Sequence, residues 1–263
     1  MRRMVVLAAA IAVASIVVGQ TSQQSEKSDA ASFSPHDLSG TWLGPDPQLG
    51  PPQHPGVRLQ EVFSPDVPPM TAWAKARYDA AKPGFGPRAS LDGNDPTLGC
   101  NPIGMPRLMT VIAPTKIIQI PGEIVMIVGH EWREIWMDGR NLPSEPEPTW
   151  NGYSVGRWEG DTLVVDTIGT IDKSWVDEDG DPHSDAMHLI ERYRRVNRDT
   201  LMLNMTIDDP KAYTRPWVSL PRPLTLKPKL EILNEPCVPE ENEAFSKAVR
   251  EPARAPAATK SDK

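Results

Sequence analysis

The fold is decided by the stretch Gly152-Tyr-Ser-Val-Gly-Arg-Trp-Glu-Gly-Asp-Thr-Leu-Val-Val-Asp166, in which two strand-like runs flank a turn at Glu159-Gly160-Asp161. The second run is rich in valine, a β-branched residue that packs well on a pleated sheet. Glycine in the turn supplies the backbone freedom that a tight connection needs. The stretch therefore predicts a β-hairpin. Arg157 and Trp158 should lie on opposite faces of its first strand because side chains alternate along a strand.

Runs of the same kind follow one another along the chain. They leave little room for the crossover helices that parallel pairing requires, and 29 prolines argue for many turns and few long helices. We therefore predict an all-β fold, an antiparallel meander that closes into a barrel or a curved half-barrel. One or two short peripheral helices are expected, at 71–81 and 239–249. The predicted strands cover 116–120, 123–128, 132–138, 153–158, 162–168, 187–196 and 200–207.

The N-terminus has the pattern of an export signal. Arg2 and Arg3 precede an apolar run that ends at Val18, which is short for a membrane-spanning helix of about 20 residues. We predict a signal peptide, with an uncleaved anchor as the alternative, and no stable membrane insertion after cleavage. The predicted location is periplasmic or secreted. The predicted organisation is signal peptide 1–19, flexible leader 20–36, a single β-rich domain 37–251 and disordered tail 252–263.

Charge and motif content exclude several classes of protein. The net charge is -7 and no basic stripe with interleaved aromatic residues occurs, so nucleic acid is not an expected partner. The sequence has no glycine-rich phosphate loop, no Gly-x-Ser-x-Gly elbow and no His-Glu-x-x-His motif. These absences argue against common nucleotide-binding proteins, serine hydrolases and zinc proteases. We predict neither a cofactor nor a metal, and the oligomeric state stays open.

Two cysteines, Cys100 and Cys237, lie in proline-flanked segments. An isolated pair in an oxidising compartment usually forms a disulfide. We predict this bond, with two buried thiols as the alternative.

One predicted strand carries the most promising group of side chains for a ligand pocket. The alternate positions His130, Trp132, Glu134, Trp136 and Asp138 share one face if the strand is unbroken. Indoles beside a few polar groups are the usual lining of a small-molecule site. The alternative is that the tryptophans pack in the core while the carboxylates reach solvent or pair with arginines. Trp158 is predicted as a further wall of the pocket.

A second group lies around His183 and Asp185, in a turn rich in Asp, Gly and Pro. Histidine with a carboxylate is the usual material for acid-base catalysis. In an enzyme, His183 would act as the base while Asp185 or Glu134 would orient it or donate a proton. The preceding 177–182 segment has carboxylates for Ca²⁺ but lacks the twelve-residue loop pattern. The competing interpretation is a solvated acidic turn.

A third group consists of arginines and carboxylates on neighbouring predicted strands. Such residues commonly form cross-strand ion pairs, and this is the favoured interpretation. Arginines that point inward would instead suit an anionic ligand. The group comprises Arg157, Asp166, Arg192, Arg194, Arg195, Asp208 and Asp209.

Several motifs are typical of one group of proteins. They are Arg133-Glu-Ile-Trp-Met-Asp-Gly-Arg140, the Pro148–Asp166 stretch, Pro182-His-Ser-Asp185 through Arg195, and Thr206-Ile-Asp-Asp-Pro-Lys-Ala-Tyr-Thr-Arg-Pro-Trp217. Together they resemble a large group of exported proteins of acidobacteria and some proteobacteria with no established activity. The resemblance implies export and the fold, not a reaction. Gly40-Thr-Trp42 is also similar to the Gly-x-Trp start of lipocalins.

These observations predict an exported, barrel-like protein that binds a small, partly apolar molecule in a pocket lined by aromatic residues and carboxylates. A first alternative is a cofactor-independent lyase, isomerase or hydrolase that uses a His-carboxylate pair. A second alternative is a structural or interaction protein with a filled core.

Overall fold

The described residues form a closed β-barrel of nine strands with one additional short strand and two short α-helices. The computed structural model describes residues 33–45, 61–84, 86–233, 236–245 and 247–248. The predicted all-β barrel is confirmed. The predicted signal peptide and tail, and the leader up to residue 32, lie outside the described residues. In the described ranges, no helix is long and apolar enough to cross a membrane.

Two α-helices, ten strands and two short 3₁₀-helices, at Pro96–Gly99 and Arg107–Met109, make up the main regular structure of the described residues. The helices are α1 (Ala72–Ala80) and α2 (Pro239–Phe245). The strands are β1 (Gly40–Leu43), β2 (Thr115–Ile120), β3 (Glu123–Val128), β4 (Glu131–Trp136), β5 (Tyr153–Glu159), β6 (Thr162–Ile168), β7 (His188–Asn197), β8 (Thr200–Asp208), β9 (Trp217–Val218) and β10 (Arg222–Leu226).

Antiparallel pairing between successive strands forms most of the barrel. Strands β1 to β4 pair with their neighbours as antiparallel strands, as do β5 to β8. Strand β10 then closes the ring because it pairs with both β8 and β1. Strand β9 extends the sheet beside the end of β8.

One junction differs from the predicted antiparallel meander. Strands β4 and β5 run parallel, and one register pair, Trp136 with Val155, joins them. A parallel pair needs a connection that returns the chain to the same end of the sheet. The proline-containing segment 137–152 provides this return. The remaining neighbours in the ring are antiparallel, so the barrel consists of two meanders that meet at a seam between β4 and β5.

The barrel interior is filled by side chains. Trp42, the largest fully buried side chain, donates from Nε1 to the Leu38 carbonyl at 2.8 Å. The segment 104–110 is buried as well and joins the same core. Strand residues that contribute to it are Ile117, Met126, Ile135, Leu163, Tyr193, Leu203 and Met205.

Helix α1 matches the sequence prediction. The Thr71 side chain accepts a hydrogen bond from the Ala74 amide at 3.3 Å and so caps the helix N-terminus. The helix ends before Pro83, which could not continue it. Helix α2 begins at Pro239 as predicted and is described up to Phe245.

Candidate functional site

A pocket of about 720 Å³ opens at the seam between β4 and β5. It lies where the two strands share one register pair, so their backbone pairing is short there. Its walls come from β4, from the segment that precedes β5 and from the disulfide region. The lining residues are Cys100, Pro102, His130, Glu131, Trp132, Arg133, Glu134, Trp136, Thr149, Trp150, Asn151, Gly152, Tyr153, Ser154, Pro236 and Cys237.

The alternation of β4 determines which of its side chains form the wall. Trp132, Glu134 and Trp136 project from one face, and Trp132 is 58% exposed. The opposite face carries Arg133 and Ile135, both buried. Regular pairing with β3 maintains this arrangement along the whole strand. The aromatic and acidic wall is therefore a direct result of the sequence pattern.

Glu131 lies at the start of β4 and has an incomplete set of partners. Its Oε1 accepts a hydrogen bond from the Ile103 amide at 2.6 Å. Its Oε2 is buried and has no hydrogen-bond partner among the described residues. The residue is 8% exposed and lines the pocket. A buried carboxylate oxygen without a donor is costly, so its position beside a pocket indicates a place for a ligand donor.

Asn151 presents a second buried acceptor. Its Nδ2 donates to the Trp132 carbonyl at 3.0 Å. Because that carbonyl can only accept, the contact fixes which end of the amide is nitrogen. The remaining Oδ1 is buried without a hydrogen-bond partner in the described part of the chain. The pocket therefore offers two buried oxygen acceptors, on Glu131 and Asn151.

Arg133 connects the pocket with the barrel core. Its guanidinium binds the Glu191 carboxylate through two contacts, Nη1 to Oε1 at 2.9 Å and Nη2 to Oε2 at 2.8 Å. Nη2 also donates to Ser154 Oγ at 2.9 Å. Tyr193 adds a hydrogen bond from its hydroxyl to Glu191 Oε1 at 2.7 Å. The Glu191 carboxylate inside the barrel thus neutralises the charge of Arg133.

A disulfide forms another part of the pocket lining. Cys100 and Cys237 are bonded, with their Cα atoms 5.5 Å apart, and the predicted disulfide is confirmed. The bond ties the segment that precedes α2 to the segment around Cys100, and both cysteines line the pocket.

Four of the predicted ligand-binding residues lie around this pocket, namely His130, Trp132, Glu134 and Trp136. Two others lie elsewhere. Asp138 is exposed and paired with Arg140 at 2.6 Å, and hydrogen bonds from Arg140 lower the pKa of the Asp138 carboxyl. Trp158 stacks on His36 with a centroid distance of 4.2 Å. Ligand binding by these residues stays a prediction.

The predicted catalytic residues have separate partners. His183 is fully buried, and it contacts Ser174 Oγ at 2.8 Å and the Ser184 carbonyl at 3.1 Å. Burial lowers the pKa of its imidazole. Asp185 is exposed and bound to Lys211 at 2.8 Å. His183 and Asp185 therefore share no hydrogen bond with each other, and the catalytic role of the pair, with Glu134, stays a prediction.

The acidic segment is buried, so the interpretation as a solvated turn is wrong. Asp177, Asp179 and Asp181 are 1%, 5% and 4% exposed. Asp177 accepts hydrogen bonds from the Phe63 amide at 2.7 Å and the Asp179 amide at 3.0 Å. The distant Phe63 segment covers the turn, which the local composition does not reveal. Over the ranges that the structure describes, no three His, Cys or carboxylate side chains are arranged to hold a metal ion.

The interpretation of the arginine group as pairs between neighbouring strands is confirmed for Arg157 with Asp166. Two members have other partners: Arg195 donates to the Asp37 and Arg198 carbonyls, and the Asp209 carboxylate accepts from the Ser184 amide. Arg157 binds Asp166, and Arg192 binds Glu159 at 2.6 Å. Asp166 also contacts His188 at 2.7 Å. These side chains form a polar network on the outer surface of β5, β6 and β7, away from the seam pocket.

The sequence interpretation missed Glu131, Trp150, Asn151 and Tyr153 as pocket residues. Glu131 lies between His130 and Trp132 in the sequence, so the alternation of side chains placed it on the face of the predicted strand opposite to the pocket residues. The other three precede or begin the β5 hairpin, and only the parallel junction brings them to β4. The available signal was the cluster Trp150-Asn151-Gly152-Tyr153 at the entrance of the predicted hairpin.

The fold and the site define a closed β-barrel with a filled interior and a lateral pocket at a strand junction. Comparison with family models, with curated proteins and with solved structures finds no match.

Proposed function

We propose that the protein is an exported binding protein that holds a small, partly apolar molecule in the seam pocket. The observation that carries this proposal is that aromatic side chains and buried, unpaired oxygen acceptors meet in one cavity. Glu131 Oε2 and Asn151 Oδ1 would fix the orientation of a bound molecule, since buried polar groups normally have a hydrogen-bond partner.

Aromatic side chains would supply most of the contact area. Trp132, Trp136, Trp150 and Tyr153 all line the pocket. Large aromatic surfaces bury much apolar area and dominate the energetics of such sites. The pocket volume of about 720 Å³ lies within the range of roughly 300–1,000 Å³ that small-molecule sites occupy.

We further propose a periplasmic or secreted location and membership in the exported group that the sequence resembles. The disulfide supports an extracytoplasmic location, because such bonds persist in oxidising compartments. The sequence pattern over 1–19 supports export in the same way.

The test is a fragment screen by thermal shift and by ligand-observed NMR with the mature protein. Hits that bind the wild type should lose at least tenfold in affinity in Trp132→Ala. The matched control is Ile120→Ala, which truncates a side chain of comparable exposure, 49%, outside the pocket. Equal binding by wild type and Trp132→Ala, with both folded, would contradict the proposal. Mass spectrometry of the protein purified from its native host would identify a retained ligand.

A further inference from the structure

We infer that the seam pocket binds an organic cation, a molecule that carries an ammonium group on an apolar body. The inference rests on the proposed binding function and specifies the class of ligand. It follows from the charges that line the pocket, from the partners that these charges have, and from the aromatic surfaces beside them.

The first step is the buried carboxylate of Glu131. It contacts one backbone amide, that of Ile103, and it forms no ion pair with any described residue. An uncompensated carboxylate at 8% exposure is expensive in free energy. An ammonium group would offset this cost, because it carries the opposite charge and three hydrogen-bond donors.

The second step is Glu134, which lines the same pocket from the outer face of β4. It is half-buried, and no hydrogen bond or ion pair joins its carboxylate to another residue in the described ranges. Two carboxylates without a cation therefore border one cavity. Low-dielectric walls strengthen the attraction of such a pair for positive charge.

The third step concerns Arg133, the one arginine among the described residues that line the pocket. The Glu191 carboxylate binds this guanidinium through both of its terminal nitrogens. Arg133 therefore does not neutralise Glu131 or Glu134, and the pocket keeps an excess of negative charge. This excess disfavours a carboxylate or phosphate ligand.

The fourth step is the aromatic lining. Cations bind to the faces of indole rings through the ring quadrupole, and tryptophan is the strongest partner. Trp136 already shows this contact beside the pocket, because the Arg140 guanidinium, whose charge is paired with Asp138, lies 3.9 Å from the centroid of its ring. Trp132 and Trp150 have no such cation in the part of the chain that the structure describes, and they are available to a ligand.

The test uses three indolyl probes of matched size and different charge. Tryptamine carries an ammonium group, tryptophol a hydroxyl group and indole-3-acetate a carboxylate. Isothermal titration at pH 7 and low salt should give tryptamine at least tenfold tighter binding than tryptophol, and indole-3-acetate the weakest binding. The tryptamine affinity should fall as salt is added, while that of tryptophol should not.

Variants in which glutamine replaces a glutamate then show which carboxylates cause the preference for tryptamine. Glu131→Gln and Glu134→Gln should each reduce the preference for tryptamine over tryptophol by at least fivefold. Glu145→Gln, an exposed glutamate outside the pocket, should leave it unchanged. Glu131→Gln should also raise the melting temperature of the ligand-free protein, because it removes a buried charge that forms no ion pair with the described residues.

The outcomes separate the two proposals. Equal affinities for tryptamine and tryptophol, both weakened by Trp132→Ala, would overturn the cation inference and leave the binding function intact. Preference for indole-3-acetate would overturn the inference as well. Failure of all three probes to bind would overturn it for this class of ligand, and the fragment screen would then decide the binding function independently.

Discussion

Arg133 and Glu191 form a two-pronged ion pair inside the barrel, with side chains 1% and 0% exposed. Ser154, Thr167 and Tyr193 add further hydrogen bonds to the pair. Removing both charges from water is costly, and only good geometry and further hydrogen bonds offset that cost. The pair joins β4 to β7 and lies directly behind the seam pocket.

The first prediction concerns this pair. Arg133→Met leaves the Glu191 carboxylate buried without its cation and should reduce the free energy of unfolding by about 3–5 kcal/mol. The double variant Arg133→Met with Glu191→Leu removes both charges and should recover most of that loss. Urea unfolding measures both changes. Arg192→Met, which breaks the exposed pair with Glu159, is the control and should have a much smaller effect. Equal losses in the single and double variants would contradict this expectation.

The second prediction concerns the buried carboxyls of Asp177 and Asp181. Burial raises the pKa of Asp177 to about 6 and raises that of Asp181 well above its usual range. Between about pH 4 and 6, the folded state therefore holds protons that the unfolded chain has released. These groups make stability fall as pH rises, and their stabilising contribution is greatest in acid.

Asp181→Asn tests this direction. Since burial raises the pKa of the Asp181 carboxyl, the folded state holds a proton there that the unfolded chain releases, so its removal should make the slope of unfolding free energy against pH less negative. Urea unfolding at pH 4, 5 and 6 provides the measurement. Asp185→Asn is the control: its carboxyl is exposed and a hydrogen bond from Lys211 lowers its pKa, so its contribution has the opposite sign. An unchanged slope in Asp181→Asn would refute the assignment.

The third prediction concerns the disulfide. Cys100 and Cys237 are separated by 137 residues, so the chain-entropy description gives a contribution of up to about 5 kcal/mol. The variant with serine at both positions should melt at a lower temperature. It should also bind ligands more weakly, because both cysteines line the pocket. A reducing agent should reproduce both effects in the wild type and should not change the serine variant.

The fourth prediction compares two glycines that both have positive φ, 68° at Gly152 and 58° at Gly160. An alanine Cβ at Gly160 would meet no atom within 4 Å, so Gly160→Ala should cost only the backbone strain, about 1–2 kcal/mol. At Gly152 the same atom would lie 2.7 Å from the Ile168 carbonyl oxygen. Gly152→Ala should therefore destabilise the protein by a clearly larger amount in the same urea assay. Similar losses at the two positions would show that the close approach is unimportant.

Sequence patterns correctly predicted the features that depend on residues close together in the chain. The alternation over 130–136 correctly indicated that Trp132, Glu134 and Trp136 share a face, because the regular pairing with β3 preserves it. The hairpin around Gly160 was predicted because its turn and both strands are contiguous in sequence. The disulfide followed from compartment and cysteine number alone.

The features that the sequence did not predict depend on contacts between residues that are far apart in the chain. Asn151 reaches the Trp132 carbonyl only because β4 and β5 meet in parallel, which the short spacing of the runs argued against. His183 is buried because Ser174 and the surrounding chain cover it, whereas its own segment is polar. The burial of Asp177 likewise depends on the distant Phe63 amide.

The single register pair between β4 and β5 also has a dynamic consequence. The hairpins on either side of the seam have six register pairs for β3 with β4 and seven for β5 with β6. Local opening requires fewer broken backbone hydrogen bonds at the seam, so the amide protons there should exchange with solvent sooner than those inside either hairpin. A molecule seated in the pocket would contact both edges and slow that exchange. A bound ligand would thus be detected as slower deuterium exchange of the backbone amides along the seam between β4 and β5.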